Sequence, residues 1–471
     1  MARMHQGAPV AVTLVLTLWV LRGVALNPTG LAVGSLDVDL AAHFWVLWYV
    51  GQDAAVANAP FGADFYALEQ ANLWIEHALD GVLGVVGAHN AAAAMALVVA
   101  GIGGHQLGRA VSDRWTGGPL GALLLTSSPP MLEALNDGTA EFTWLGFAAL
   151  AVAAFYRRSW WAVLWVALSG WTCWYYGLMV GLAGLVLAAW RRDPKVLASL
   201  ALGTTALLPF ALAFSGSDLE VVRTEVLIDE PLHRLPPWLP FGRMHLLWAA
   251  ALVPAALGAR RHPALAVLAG LGWVLSWGSA LWGVAMPFRL LNLVLDSFAR
   301  PLHLPFHFMA LTTLAIVPLA CSGRPRPWLA LVAFAAIAAP APAGSRLPEP
   351  APLLALQSEL HPGAVLELPG LWRDDQSDLD REALHQLVHQ RPIPRFPVFP
   401  TDQLRHEGID ALRADPWLQG LRHGRSGTPD LPGYGWVILG ADASPELNEA
   451  LQQSLGAPRI EGDGLSVFAL P

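Results

Sequence analysis

The sequence predicts a mainly α-helical, polytopic membrane protein of about eleven transmembrane helices, followed by a small C-terminal α/β extracytoplasmic domain. Three observations predict it. Of the 471 residues, 55% are hydrophobic and only 14% charged, whereas soluble globular chains carry roughly 25% charged residues. Apolar runs near the length that crosses a bilayer, about 17–25 residues, recur up to residue 343 and then stop. The 21 Trp residues follow the same division, 18 of them before residue 344, and Trp collects where a side chain meets both lipid and water.

These figures exclude a soluble cytosolic enzyme, a disordered scaffold and a nucleic-acid binder of the basic-patch kind. Cys173 and Cys321 sit in or beside apolar runs with no partner spacing, so neither a disulfide framework nor a zinc site is indicated. Residues 1–343 carry 18 basic and 18 acidic side chains, and residues 344–471 carry 10 and 18, which accounts for the net charge of −8. The Pro/Ala/Gly-rich stretch from Pro340 to Pro350 marks the change, and the sequence divides there into 1–343 and 344–471.

The first span, about 9–26, lies where a signal peptide would, but no convincing cleavage site follows it and it reads as a retained helix. The others fall at about 81–102, 117–131, 140–156, 159–173, 174–190, 195–214, 244–259, 263–282, 305–322 and 327–343. A cytoplasmic N-terminus puts Arg109 and Arg114, Arg157 and Arg158, Arg191, Arg192 and Lys195, Arg260 and Arg261, and Arg324 and Arg326 on one side, as the positive-inside rule requires. The opposite loops are acidic. The long first outer loop, 27–80, holds Asp37, Asp39, Asp53, Asp64, Glu69, Glu76 and Asp80 with no base, and the next holds Glu133, Asp137 and Glu141. An odd number of spans leaves residues 344–471 outside.

Within the first outer loop, residues 40–50 (LAAHFWVLWYV) are too short to span and read as a helix lying in the outer interface. A second helical pattern covers 65–79. Asp37 and Asp39 precede the interfacial helix. In an extended segment both carboxylates face one way, and such a pair can accept a proton or hold a divalent cation. Asp39 equally suits the N-cap of a helix starting at Leu40. His43, one turn later, is a candidate to orient Asp39 or join a metal site, against a bystander role. His303 and His307, and His385 and His389, have the spacing of a metal pair. Pro305 breaks the first pair and the second lacks a third ligand, so no metal is assigned. Tyr175 and Tyr176, beside Trp171 and Trp174, read as an outer aromatic belt.

The C-terminal part alternates as a soluble domain does: a strand at 364–368, helices at 381–390 and 408–421, a strand at 436–440, a helix at 444–455 and a strand at 465–470. It has no phosphate loop and no nucleophile elbow. Capping the membrane part, or binding something outside, is its expected use.

Several segments resemble the GT-C superfamily of membrane glycosyltransferases, of the bacterial polyprenyl-phosphate-sugar dependent type. Residues 34–51 (GSLDVDLAAHFWVLWYVG) resemble its acidic loop and juxtamembrane helix, and 128–142 (SPPMLEALNDGTAEF) the segment before its fourth helix. Residues 300–310 (RPLHLPFHFMA) resemble its Arg-Pro-rich approach to a late helix. Residues 364–369 (AVLELP) and 385–394 (HQLVHQRPIP) resemble the strand and His-rich turn that open its C-terminal domain.

The resemblance implies a GT-C-like transmembrane domain in the bacterial cytoplasmic (inner) membrane, surrounded by membrane lipids. It implies transfer of a sugar from a polyprenyl-phosphate donor to an acceptor on the outer side, the sugar and acceptor being unnamed, and no nucleic-acid partner. By it, Asp37 or Asp39 is the catalytic base, and Glu141, at the mouth of the fourth span, is the second acidic group. Arg289 and Arg300 hold the leaving phosphate, whose geometry a guanidinium matches. The alternatives at these positions are interfacial anchoring for the arginines and a helix-start acid for Glu141. No cofactor is assigned, and a divalent metal at the acidic pair is compatible with the chemistry. The alternative function is non-catalytic: a transporter or flippase of lipid-linked sugars, or an envelope-assembly scaffold. The scarcity of ionisable residues mid-span speaks against a transport pathway.

Overall fold

The computed structural model describes residues 4–36, 39–52, 70–112, 114–215, 243–276, 280–281, 284–285, 305–323, 341–373, 376–395 and 407–471. The chain is mainly helical and divides into two compact units, the first built on Met1–Ser35, Ala67–Ser215 and Thr224–Ser345, the second on Leu36–Tyr66, Gly216–Arg223 and Arg346–Pro471.

The first unit is a helical bundle. Its longest helix, Gln70–Val111, is interrupted at Gly84, whose backbone lies in the left-handed region (φ 71°). Only glycine takes that conformation without strain, so the helix has two arms that meet at Gly84. The outer arm carries Asn72 and Glu76, and the inner arm carries His89 and Asn90. Further along, Gly104 and Gly108 pack against Gly121 and Gly117 of the next helix, Gly117–Thr126. A Cβ on Gly108 would lie 2.1 Å from the Gly117 carbonyl oxygen, and one on Gly104 2.2 Å from that of Gly121. Small residues four apart on both helices are what allows backbones to approach this closely in membrane bundles. The helix Met309–Ser322 is buried from Ala310 to its end. It is apolar on every side, as a central helix must be.

Among the described residues, one helix, Ala71–Val111, is long and apolar enough to cross a membrane by itself, and shorter apolar helices include Ala11–Gly23, Ala140–Tyr156, Trp161–Thr172 and Pro263–Leu275. Two expected spans are broken by local chemistry. The run 117–131 splits at Ser127 and Ser128, because Pro129 and Pro130 start a new helix, Pro129–Asp137, and a residue before proline is driven out of the helical region. The run 263–282 ends as a helix at Leu275, and its tail joins a small antiparallel hairpin. Among the described residues of this unit there are four two-residue strands: β1 (Ala32–Val33), β2 (Ala280–Leu281), β3 (Val284–Ala285) and β4 (Gly344–Ser345). β2 pairs with β3, and β1 with β4. Of the expected span 327–343, residues 327–340 lie outside the described residues.

The second unit holds a four-stranded sheet in the order β5 (Ala364–Leu368), β6 (Tyr434–Leu439), β8 (Leu465–Ala469), β7 (Ile460–Gly462), with β5 and β6 parallel and the rest antiparallel. β5 and β6 are buried at every residue, the pattern of strands covered on both faces. Leu366, Leu368, Val437 and Phe468 face one core with Trp417, Leu418 and Leu451. Val365, Trp436, Ile438 and Val467 face the other with Leu353, Leu356 and Ile393. Helix starts are written in the chain: Asp415 accepts from the backbone N–H groups of Trp417 and Leu418, Ser444 accepts from that of Leu447, and each precedes a proline at the first helical position, which is the favoured N-terminal arrangement.

The helix expected in the outer interface is corrected here. Residues 40–49 do form a helix, Leu40–Tyr49, but nine of its ten residues are buried. Trp45 Nε1 donates to Gln386 Oε1 at 2.6 Å on the helix Gln376–His389. The helix has no polar face to offer water, and a helix apolar all round belongs in a core.

Candidate functional site

In the first unit, the two arms of the kinked helix and the chain leading to β1 build a small pocket whose largely apolar wall includes Asn72, Glu76 and His89. Asn90 ties down the incoming segment: its Nδ2 donates to the carbonyls of Pro28 and Leu31, both at 2.7 Å, and its Oδ1 accepts from Val33 N at 2.8 Å. His89 Nε2 lies 2.9 Å from the Val33 carbonyl oxygen. A carbonyl only accepts, so Nε2 carries the proton, and in the neutral ring Nδ1 presents a lone pair. That Nδ1 is 3.6 Å from Oε2 of Glu76, a carboxylate with 0% exposure.

Glu76 Oε1 in turn accepts from Asn72 Nδ2 at 3.2 Å. The orientation of Asn72 is fixed by Trp144, whose Nε1–H can only donate and does so to Asn72 Oδ1 at 2.8 Å. Thr143 and Ala140 close the far wall of the pocket, which has room for about one water molecule or bare ion. It is too narrow for a sugar ring. The arrangement can hold a proton or a cation between an imidazole nitrogen and a carboxylate.

The 3₁₀ turn Ala140–Trp144 brings Glu141 beside this wall, half-buried. Its neighbour Phe142 stacks on His307, with centroids 3.8 Å apart, and its carbonyl accepts from the Tyr176 hydroxyl at 2.5 Å. The expectation of an aromatic belt is therefore corrected for Tyr175 and Tyr176. Both are buried, packed on Phe142, and Tyr176 satisfies a turn carbonyl instead of meeting water.

The residues singled out from the sequence fall in different places. Asp39 is exposed and sits before the helix Leu40–Tyr49, yet its side chain makes no capping bond to that helix. His43, one turn on, is buried and donates its backbone N–H to the Asp39 carbonyl. Asp37, Arg289 and Arg300 lie outside the described residues. Asn72, His89 and Trp144 were not singled out. The signal that could have found two polar members of this cluster is His89-Asn90, a polar dipeptide inside an apolar run.

The second unit has its own buried ionic network. His385 Nδ1 pairs with Glu367 Oε2 at 2.8 Å. Burial alone would raise the Glu367 carboxyl, but His385, His389 and Arg381 outweigh it and hold the group below its ordinary value. Burial pushes His389 down to about 3, and the neutral ring accepts from Arg391 N through Nδ1 at 3.0 Å. Arg395, fully buried, grips both oxygens of Glu382 at 2.5 and 2.6 Å and also donates to the carbonyls of Gly370 and Arg373.

No protein-family profile and no curated protein sequence matches the chain. Among solved structures, the chain is similar to the arabinofuranosyltransferase AftD from Mycobacteria, determined by single-particle cryo-EM. The match covers 100% of this chain and 40% of that one, at 17% identity and a TM-score of 0.59. At that identity the likeness is one of fold. The chain spans about 40% of the length of the transferase it matches.

Proposed function

We propose that the chain is a membrane glycosyltransferase of the GT-C type, moving a sugar from a polyprenyl-phosphate donor to an acceptor on the outer side of the bacterial cytoplasmic membrane. The observation that carries this reading is the fold match along the whole chain to an arabinofuranosyltransferase. The alternation of arginine-bearing and acidic loops supports eleven spans, a cytoplasmic N-terminus and an outer C-terminal domain.

In this reading Asp37 or Asp39 takes the proton from the acceptor hydroxyl as the polyprenyl phosphate departs. Arg289 and Arg300 neutralise the leaving phosphate, and Glu141 is the second acidic group. The test is transfer from a panel of polyprenyl-phosphate sugars by the purified full-length protein in liposomes, with Asp37→Asn and Asp39→Asn alongside. One of the two variants should lose about 10²–10⁴-fold in turnover at normal yield. Wild-type rates from both would remove the assigned base, and no transfer by the wild-type chain from any such donor would remove the transferase reading.

A further inference from the structure

We propose that Glu76 and His89 are protein ligands of a divalent transition-metal ion, of the zinc class, held in the pocket they line. Three features of the first unit point to it. The first is distance. A hydrogen-bonded imidazolium–carboxylate pair closes to about 2.7–2.9 Å, whereas His89 Nδ1 and Glu76 Oε2 are 3.6 Å apart. Two ligands each about 2.1 Å from a tetrahedral ion are about 3.4 Å apart, close to the observed separation.

The second feature is the outer partners. A metal-binding histidine characteristically donates its other ring N–H to a carbonyl, and a metal-binding carboxylate is itself hydrogen-bonded. His89 donates through Nε2 to Val33 O, and Glu76 accepts from Asn72, itself locked by Trp144. The third is the enclosure. Asn72 and Glu76 are at 0% exposure and His89 at 3%, and the pocket beside them has room for one ion. One nitrogen and one carboxylate oxygen make a mixed donor set suited to zinc.

The inference does not depend on the transferase reading, because ion content is measured without turnover and either can fail alone. The full-length protein in detergent is loaded with Zn²⁺, freed of excess by gel filtration, and assayed for metal. In parallel the wild-type protein is titrated with Co²⁺, whose visible absorption reports a low-symmetry nitrogen–oxygen site directly and does not depend on any variant folding. About one ion per chain is expected in the wild type, with Glu76→Gln and His89→Gln losing it. Trp144→Phe, which frees Asn72, should weaken binding by about 10–100-fold. Wild-type protein that retains no ion and gives no cobalt band overturns the proposal in favour of a shared proton, and variants that retain as much zinc as the wild type overturn it in favour of a site elsewhere.

Discussion

Replacing Arg395 by Met converts a buried ion pair into a buried lone carboxylate, and the size and pH dependence of the effect can be worked out beforehand. Arg395 is at 0% exposure and Glu382 at 3%. Burial and the neighbouring Glu367 already push the Glu382 carboxyl above its ordinary value, and Arg395 is the main group opposing that. With the guanidinium gone, Glu382 titrates higher still and takes up a proton in the native state. The unfolded chain, with a carboxyl near 4.3, does not bind that proton between about pH 5 and 7. Stability then falls as pH rises, by up to about 1.4 kcal/mol per pH unit for the one extra proton held by the native state. Neutralising the carboxyl at pH 7 costs at most about 3.7 kcal/mol, which fits the 3–5 kcal/mol usual when a buried pair loses one partner. The gap between wild type and variant should therefore shrink by about 2 kcal/mol, and by no more than about 2.7, on going from pH 7 to pH 5. Amide hydrogen exchange in β5 and β6 reads the opening free energy of this unit in the intact chain at each pH. Adding Glu382→Gln to the Met variant should abolish the pH dependence. A pH-independent gap, or one that survives in the double variant, would refute the argument.

Gly108→Val should disrupt the contact between the helices Gln70–Val111 and Gly117–Thr126, because its Cβ would meet the Gly117 carbonyl at 2.1 Å. Overpacking against backbone costs about 3 kcal/mol or more, seen as a lower melting temperature and a smaller monodisperse fraction on size exclusion. Gly181→Ala, where a Cβ meets nothing within 4 Å, should leave both unchanged or slightly improved. Asp415→Ala removes the acceptor for the N–H groups of Trp417 and Leu418. It should lower protection of Pro416–Arg422 by about 1 kcal/mol, with the bundle helices unaffected.

Much of the fold is legible in the sequence where a local rule acts alone. Prolines at the first helical position mark the starts of Pro129–Asp137, Pro194–Thr205, Pro263–Leu275 and Pro445–Leu455, and the strand read at 364–368 runs from Ala364 to Leu368. The candidate pocket is different. Glu76 and His89 meet because Gly84, between them, turns the helix with a positive φ. Nothing in a 3.6-residue period announces that one glycine among several in the run does so. Trp144 reaches Asn72 across 72 positions of sequence, a pairing that only the packed bundle creates. For Asp37, Arg289 and Arg300 the sequence remains the whole argument.

The helix Leu40–Tyr49 shows why apolar composition alone misplaces an element. Lipid and a protein core are both apolar solvents, so a run such as LAAHFWVLWY satisfies either, and periodicity cannot choose between them. The choice is made by the few polar atoms the run carries. An indole N–H at an interface is satisfied by water, whereas one in a core needs a fixed acceptor. Trp45 has that acceptor in Gln386, whose own amide donates on to the Arg391 carbonyl. The same reasoning moves Tyr176 from a lipid-facing belt to the interior, where its hydroxyl meets the Phe142 carbonyl left over by a 3₁₀ turn. In both cases the aromatic ring alone is ambiguous and its single polar atom decides. A glutamine on a soluble-looking helix or an unpaired turn carbonyl is therefore the feature to match against an apolar run when asking whether it faces lipid or protein.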